Sequence, residues 1–227
     1  MKKLLISLLI MSTLFSGSAM AASNTATSYI KTTSIAEQKA SNKIKSSIFN
    51  LSDQQLKNAV AIGKKGYDAV IDFNNKQKLL ISIDKLEIWQ PDVWVSTPYF
   101  NIVRSSFLKF NDYDTYTLKD AKEFLALYKG LNRLDFELRT YGNSVTFTKN
   151  LKVVLKQGSK VYQPKDIRGK ENVSMSGSWP EAPAYVSVLN VSFDNSKIDF
   201  SKPAELVYMY AGKELSVTYK VDFTKVK

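Results

Sequence analysis

The alternation of apolar and polar residues near the end of the chain most constrains the fold. Every second residue from 215 to 223 is apolar: Leu215, Val217, Tyr219, Val221 and Phe223. Because successive side chains of a β-strand point to opposite faces, the segment 214–223 is predicted to be a strand with one buried face. A second apolar run over 205–210 precedes it across Ala211-Gly212-Lys213, which predicts a β-hairpin.

Several more strand patterns, separated by turn residues, occupy the second half of the chain. The predicted strands cover residues 79–89, 134–139, 144–148, 151–155, 160–163 and 185–193. With the hairpin they amount to about seven short strands without repeated strand–helix–strand alternation, which is typical of an antiparallel immunoglobulin-like β-sandwich. The predicted class is therefore α+β, mainly β.

Helices are predicted before and inside this β-structure. Ser52 and Gln55 have the spacing of a capping box, and an apolar stripe follows over about 53–65. The segment 67–73 fits a helix or a strand equally well, and Asn74-Asn75 is expected to end it.

A two-helix insertion is predicted after the first strand. Thr97 and Pro98 are suited to the N-cap and first position of a helix over 98–110. Thr117 and Asp120 have the capping-box spacing for a second helix over 118–128.

The N-terminal residues have the pattern of an export signal. Two lysines precede an apolar run over 4–15, and small residues at 19 and 21 fit a cleavage site, so residues 1–21 are predicted to be a signal peptide. Residues 22–50 are predicted to be a polar tether or a loose helix, and 51–227 a single domain. No later segment approaches the roughly 18 apolar residues of a membrane span, so no transmembrane segment is expected after cleavage.

The composition excludes several classes of site. The chain contains no cysteine and no histidine, which excludes disulfides, thiolate metal sites and nucleophiles activated by histidine. Lysine and arginine number 32 against 21 acidic residues, a formal net charge of +11. Such a charge favours anionic partners, although lysines also serve solubility alone.

The segment that joins a strand to a capped helix is the first candidate ligand region. It is rich in aromatic residues, and its candidate binding residues are Trp94, Tyr99, Phe100 and Arg104. A helix N-terminus beside aromatic rings and a cation can hold an anion or a sugar ring. The alternative interpretation is that these aromatic residues belong to the core.

A basic segment is the second candidate surface. Its seven cations, against one intervening acid, are Lys149, Lys152, Lys156, Lys160, Lys165, Arg168 and Lys170. They are predicted to contact an anionic polymer of the cell envelope. Nucleic acid is not favoured as a partner, because the segment lacks interleaved aromatic residues.

Two further hypotheses concern carboxylates. Asp84, Glu87 and Asp92 lie near tryptophans, and a pair of facing carboxylates would suit a polysaccharide-active enzyme. Asp112, Asp114 and other oxygen ligands near 111–120 lack the glycine and distal glutamate of an EF-hand, so no metal or other cofactor is predicted.

Four short segments follow one another in the order Leu51-Ser52-Asp53-Gln54-Gln55-Leu56, Ala61-Ile62-Gly63-Lys64-Lys65, Val95-Ser96-Thr97-Pro98-Tyr99 and Val154-Leu155-Lys156-Gln157-Gly158. The chain thus has a helix, then a Thr-Pro-Tyr segment, then a β-rich C-terminal half. In this order of elements it resembles uncharacterised exported bacterial proteins. The resemblance covers most of the chain beyond the signal peptide and implies no activity.

Together these patterns predict a secreted, non-catalytic binding or structural module of the bacterial cell envelope. Its expected partner is an anionic envelope polymer or another protein. The rival hypothesis is the carboxylate-based polysaccharide enzyme.

Overall fold

The computed structural model describes the backbone of residues 21–81, 89–210 and 215–227, and side chains from residue 34 onward within those ranges. The helices are α1 (Ala21–Phe49), α2 (Asp53–Gly63), α3 (Tyr67–Gln77), α4 (Pro98–Asn111) and α5 (Leu118–Tyr128). The strands are β1 (Asp92–Val95), β2 (Arg133–Gly142), β3 (Lys152–Gln157), β4 (Lys160–Tyr162), β5 (Asp166–Arg168), β6 (Ser174–Met175), β7 (Tyr185–Asp194), β8 (Ala204–Met209) and β9 (Ser216–Val221).

Residues 38–227 form one compact unit, and residues 21–37 are helical. The unit therefore includes the last part of α1, where Ile48 is buried and Ser41 accepts a hydrogen bond from the Phe200 amide at 2.8 Å. Over the described residues, none of the helices is both long and apolar enough to cross a membrane.

The strands form two antiparallel sheets. The first has the order β1-β2-β7-β5, with β6 also paired to β7, and the second has the order β4-β3-β8-β9. Both contribute to one hydrophobic core, in which Phe136 and Phe193 of the first sheet lie in the same cluster as Leu155, Leu206 and Tyr219 of the second. The α+β class and the antiparallel sheets are confirmed, and the immunoglobulin-like arrangement stays a prediction.

A second apolar cluster holds the helices together. Leu56 and Val60 of α2, Phe73 of α3 and Phe100 of α4 are buried in it, together with Ala121 of α5. The chain thus has a helical layer with its own core beside the sheet core.

The helix caps are confirmed. Ser52 and Gln55 form the capping box of α2, and Thr117 and Asp120 form that of α5. Thr97 Oγ1 accepts a hydrogen bond from the Phe100 amide at 3.1 Å, and Pro98 is the first residue of α4. Capping depends on residues three positions apart, so the sequence alone located these helix starts.

The expectation that β-structure predominates is wrong, because helix makes up about 37% and strand about 28% of the chain. Part of the excess is α3, which continues through Asn74 and Asn75 where the sequence suggested a break. Val70 and Phe73 are spaced as one helical face and are both buried, and their burial outweighs the low helix propensity of asparagine.

The predicted strand over 144–148 is also wrong, since a 3-10 helix occupies Phe147–Asn150. Phe147 is buried here, and its ring lies so close to Gly142 that a Cβ on the glycine would be 2.4 Å from it. The Phe147 ring packs closely on Gly142 at the end of β2, and the chain turns between these two residues.

The predicted strand over 79–89 lies only partly within the described residues, which exclude 82–88. At its start, the Leu79 amide donates to the Val93 carbonyl at 2.8 Å, and Ile81 bridges to Tyr219. The segment 78–81 therefore passes from the edge of the first sheet to the edge of the second. The predicted turn at 211–213 lies outside the described residues.

Candidate functional site

A groove with a volume of about 790 Å³ lies at one end of the second sheet. The end of α3 and the segment 78–80 form one side, and the ends of β3, β8 and β9 form the other. Its position follows from the crossing of the segment 78–81, which places the residues after α3 along β9.

A row of charged side chains crosses the sheet at this groove. Lys156 of β3 is paired with Glu205 of β8, and Glu205 is paired with Lys220 of β9. Residues directly opposite each other in antiparallel strands have side chains on the same face, so the three side chains form one lysine–glutamate–lysine row. Lys156 Nζ lies 3.8 Å from Glu205 Oε2.

Three more lysines line the groove, against one further carboxylate. The lysines are Lys76, Lys78 and Lys225, and the carboxylate is Asp222. Among the described residues, the lining of the groove therefore has five lysines and two acidic residues. Its lining also includes aliphatic side chains, of which Leu80 is 77% exposed.

Most of these lysines form ion pairs at the surface. Lys76 pairs with Asp72 and Lys78 with Asp92, each at 2.6 Å, and Lys225 lies 3.3 Å from Asp222. Such exposed pairs contribute only about 0–1 kcal/mol each. An anionic ligand can therefore recruit these ammonium groups at little energetic cost.

The surroundings of Asp222 favour the charged form of its carboxyl. The Thr224 hydroxyl donates a hydrogen bond to Asp222 at 2.6 Å and lowers the pKa of that carboxyl. The groove therefore has both signs of charge with an excess of positive charge.

The predicted ligand region from Trp94 to Arg104 belongs largely to the helical core. Trp94 is 7% exposed and Phe100 is 1% exposed. The Trp94 indole N–H donates to the Asn74 carbonyl at 2.8 Å, which satisfies its one polar atom. These two rings are therefore placed for packing.

The other two predicted residues of this region are partly exposed. Tyr99 packs its ring 5.9 Å from that of Phe73, and burial raises the pKa of its hydroxyl. Arg104 pairs with Glu137 and lies 5.6 Å above the Phe100 ring. The structure brings all four residues together around Phe100, and ligand binding by them stays a prediction.

The structure divides the predicted basic strip between the two sheets. Lys152 and Lys156 share the outer face of β3, but Lys160 is opposite Gln157, whose side chain is on the inner face. The turn at Gly158, with φ of 58°, reverses the chain between them, so even spacing in sequence does not keep them on one face.

The remaining cations of the strip have separate surroundings. Arg168 lies in β5 of the first sheet, with its Nε 3.2 Å from Asp166. Lys170 Nζ donates to the Leu151 carbonyl at 2.9 Å, and Lys149 is exposed at the 3-10 helix. Only Lys156 of the seven lines the groove.

Lys165 of the strip lies 3.5 Å from Asp194, whose carboxyl is unusually acidic. The Ser196 hydroxyl, 2.6 Å away, and the Ser196 amide both donate to Asp194 and lower its pKa from 3.8 to about 2. A carboxyl whose pKa is lower in the folded than in the unfolded state stabilises the fold at pH values above its unfolded pKa. This contribution is lost as the pH falls through the folded-state pKa.

We therefore expect an NMR titration of the Asp194 carboxyl carbon to have its midpoint near about 2. The stability difference between the wild type and Asp194→Asn is expected to be constant above about pH 5 and to shrink between about pH 4 and pH 2. A midpoint near 4 would contradict this assignment.

No family model, no curated protein and no solved structure matches the chain. Its function is therefore argued from the groove and its charges.

Of the groove lysines, sequence reasoning identified Lys156, as part of the basic strip, but it did not identify Lys76, Lys78, Lys220 or Lys225 as part of a site. The sequence did place Lys220 on the solvent-facing side of the predicted C-terminal hairpin, and this alternation was the sequence pattern that pointed toward the groove. The meeting of Lys220 with Lys76 and Lys78 depends on long-range pairing of the segment 78–81, for which no local pattern exists.

Carboxylate chemistry finds little support among the described residues. Asp84 and Glu87 lie outside them, and Asp92 is paired with Lys78. In the predicted loop near 111–120, Asp114 pairs with Lys109 and Asp120 caps α5. The described residues contain no group of three or more carboxylates placed to hold a metal ion.

Proposed function

We propose that the chain is an exported, non-catalytic module of the bacterial cell envelope that binds a segment of anionic polymer in the groove. The observation that carries this proposal is the lysine-rich lining, which has five lysines against two carboxylates among the described residues. Lys156 and Lys220 hold fixed positions on β3 and β9, the two strands that flank β8, so their backbone positions have a defined separation across the groove.

The groove suits a flexible chain better than a compact ligand. It is open to solvent along the end of the sheet, and Leu80 supplies an exposed apolar side chain beside the lysines. A polymer with regularly spaced anionic groups can meet the lysines in turn while its aliphatic parts cover Leu80. Because the ammonium groups are exposed, binding is weak for each contact and sensitive to salt.

The export signal over residues 1–21, secretion and the immunoglobulin-like arrangement of the sheets are parts of this proposal. The two lysines and apolar run at the start of the chain support export. Two antiparallel sheets around one core support the sandwich. The resemblance to exported bacterial proteins is also part of the proposal, and it implies no activity.

The polymer proposal is tested by retention of the purified protein on isolated bacterial cell walls, with and without their anionic polymers, at low and at high salt. We expect retention only where the polymers are present, and its loss at high salt, because salt screens exposed charges. The double variant Lys156→Gln/Lys220→Gln is expected to bind about ten-fold more weakly, since charge-assisted contacts are lost.

The matched control is Lys57→Gln/Lys119→Gln, which removes the same net charge from exposed positions on α2 and α5 outside the groove lining. Equal loss in both double variants would mean that net charge alone, and not the groove, determines retention. Retention that does not depend on the polymers would favour a protein partner. Turnover of a polysaccharide by the wild type would favour the rival enzyme hypothesis.

A further inference from the structure

A second, smaller cavity lies away from the groove and has a different chemistry. Its volume is about 220 Å³, and it is bounded by the last turns of α1, the connection between α5 and β2, and the end of β7. Three cations line it: Lys45, Lys129 and Arg133. The described residues of its lining include four asparagines and no carboxylate.

The wall of the cavity rests on a buried polar network centred on Asp135. Ser192 Oγ donates to Asp135 Oδ1 at 2.6 Å, and the Tyr128 hydroxyl donates to Oδ2 at 2.7 Å. Burial, with the carboxylate of Asp135 beside it, raises the pKa of Tyr128, so this hydroxyl stays a donor. The network fixes Tyr128 and Arg133, both of which line the cavity.

Arg133 is held beside the network and lines the cavity. Its Nε lies 2.7 Å from Asp135 Oδ2 as an ion pair, but the N–H is not aligned for a hydrogen bond to any acceptor among the described residues. The guanidinium carbon lies 5.3 Å above the Tyr128 ring, which orients the plane of the group. Its side chain is 30% exposed, so a ligand can reach it.

Asn195 supplies an acceptor that has no partner. Only 6% of this residue is exposed, and its Oδ1 is buried without a hydrogen bond from any described residue. Its Nδ2 donates to the Arg133 carbonyl at 3.1 Å, which fixes the orientation of the amide. A buried acceptor of this kind is stabilised by a donor, and a hydroxyl group is a suitable one.

We infer that this cavity binds a small anion that also carries hydroxyl groups, of the chemical class of sugar acids. The anionic group meets Lys45, Lys129 and Arg133, and a hydroxyl of the ligand donates to Asn195 Oδ1. The volume is that of a single sugar-sized unit and not of a polymer, so this site is independent of the polymer groove. An anion without a hydroxyl group would leave Asn195 Oδ1 without a hydrogen bond from any described residue.

The test uses isothermal titration of the purified full chain with three small probes of similar size. Glucuronate has both the carboxylate and the hydroxyls, glucose lacks the carboxylate, and cyclohexanecarboxylate lacks the hydroxyls. We expect glucuronate to bind about ten-fold more tightly than either of the others, because each of the two features contributes a hydrogen-bonded contact.

Two variants connect this binding to the cavity. Lys45→Gln and Lys129→Gln are each expected to weaken glucuronate binding about five- to ten-fold, since each removes a charge-assisted contact. Lys57→Gln is the matched control, because this exposed lysine of α2 does not line the cavity. Thermal unfolding of each variant is the check that its fold is retained. Because the two lysines are replaced separately, the test remains valid if one of the variants is unfolded.

The inference is overturned if glucuronate does not bind, if cyclohexanecarboxylate or glucose binds equally well, or if Lys57→Gln loses as much affinity as the cavity variants. These results are separable from those for the groove, because Lys156→Gln/Lys220→Gln is expected to leave glucuronate binding unchanged. Competition between glucuronate and the envelope polymer for one site would also contradict the independence of the two sites.

Discussion

Replacing Asp135 by alanine is expected to lower the free energy of unfolding by about 3 kcal/mol, as is typical when one partner of a buried ion pair is removed. The Asp135 side chain is 7% exposed and is surrounded by the Tyr128 and Ser192 hydroxyls and by Arg133. The substitution leaves the Ser192 hydroxyl without its acceptor and Arg133 without its ion-pair partner, and the Tyr128 hydroxyl keeps only the Ser96 carbonyl, 3.0 Å away. Urea unfolding of the wild type and the variant, followed by tryptophan fluorescence, measures the difference.

Asp166→Ala is the matched control for this substitution. Asp166 also pairs with an arginine in the same sheet, but its side chain is 53% exposed. Its loss is expected to change the free energy of unfolding by no more than about 1 kcal/mol. If Asp135→Ala were equally mild, the buried network would contribute nothing measurable to the fold.

Asp135 also shows what strand alternation failed to predict. Leu134 and Phe136 alternate with Asp135, and the sequence therefore suggested that the aspartate faces water. In the structure the side chain is buried, because Tyr128 at the end of α5 covers that face of β2. Alternation identifies two faces of a strand, but the packing of a helix against the second face is not a local property.

Helices with strong caps were predicted almost to the residue, whereas α3, which has no side-chain hydrogen bond at its N-cap, was not. Thr97 with Pro98 and Thr117 with Asp120 locate α4 and α5. In contrast, α3 has Gly66 at its N-cap with no side-chain hydrogen bond, and its existence depends on burial of Val70 and Phe73 against the other helices. A preference that arises from tertiary packing leaves only a weak signal in the local sequence.

The same distinction applies to the two candidate sites. The face of Lys220 followed from alternation, but its neighbours Lys156 and Glu205 are on other strands, so the charged row required the sheet register. The cavity beside Asn195 combines α1, α5, β2 and β7, and its key feature is an acceptor without a partner. No sequence pattern marks such an atom, because hydrogen bonding is a property of the folded surroundings.

Replacing Gly169 by alanine is expected to lower the free energy of unfolding by about 3 kcal/mol, as the sum of backbone strain and overpacking. Gly169 has φ of +95°, a conformation that side chains disfavour, and an added Cβ would lie 2.2 Å from the Val188 carbonyl oxygen. That oxygen belongs to the central strand β7, which cannot move away without disturbing its pairs with β2. The Gly169 carbonyl also accepts the buried Ser187 hydroxyl at 2.7 Å, so a displaced backbone loses this hydrogen bond.

Gly130→Ala separates the two causes. Gly130 has nearly the same φ, +90°, but an added Cβ there would meet nothing within 4 Å. Its cost is therefore the backbone strain alone, about 1 kcal/mol. The excess loss in Gly169→Ala, measured by urea unfolding of both variants, is the cost of the contact with Val188. Equal losses would show that the chain around β5 yields to the new methyl group, and that β5 is not held as closely against β7 as the glycine implies.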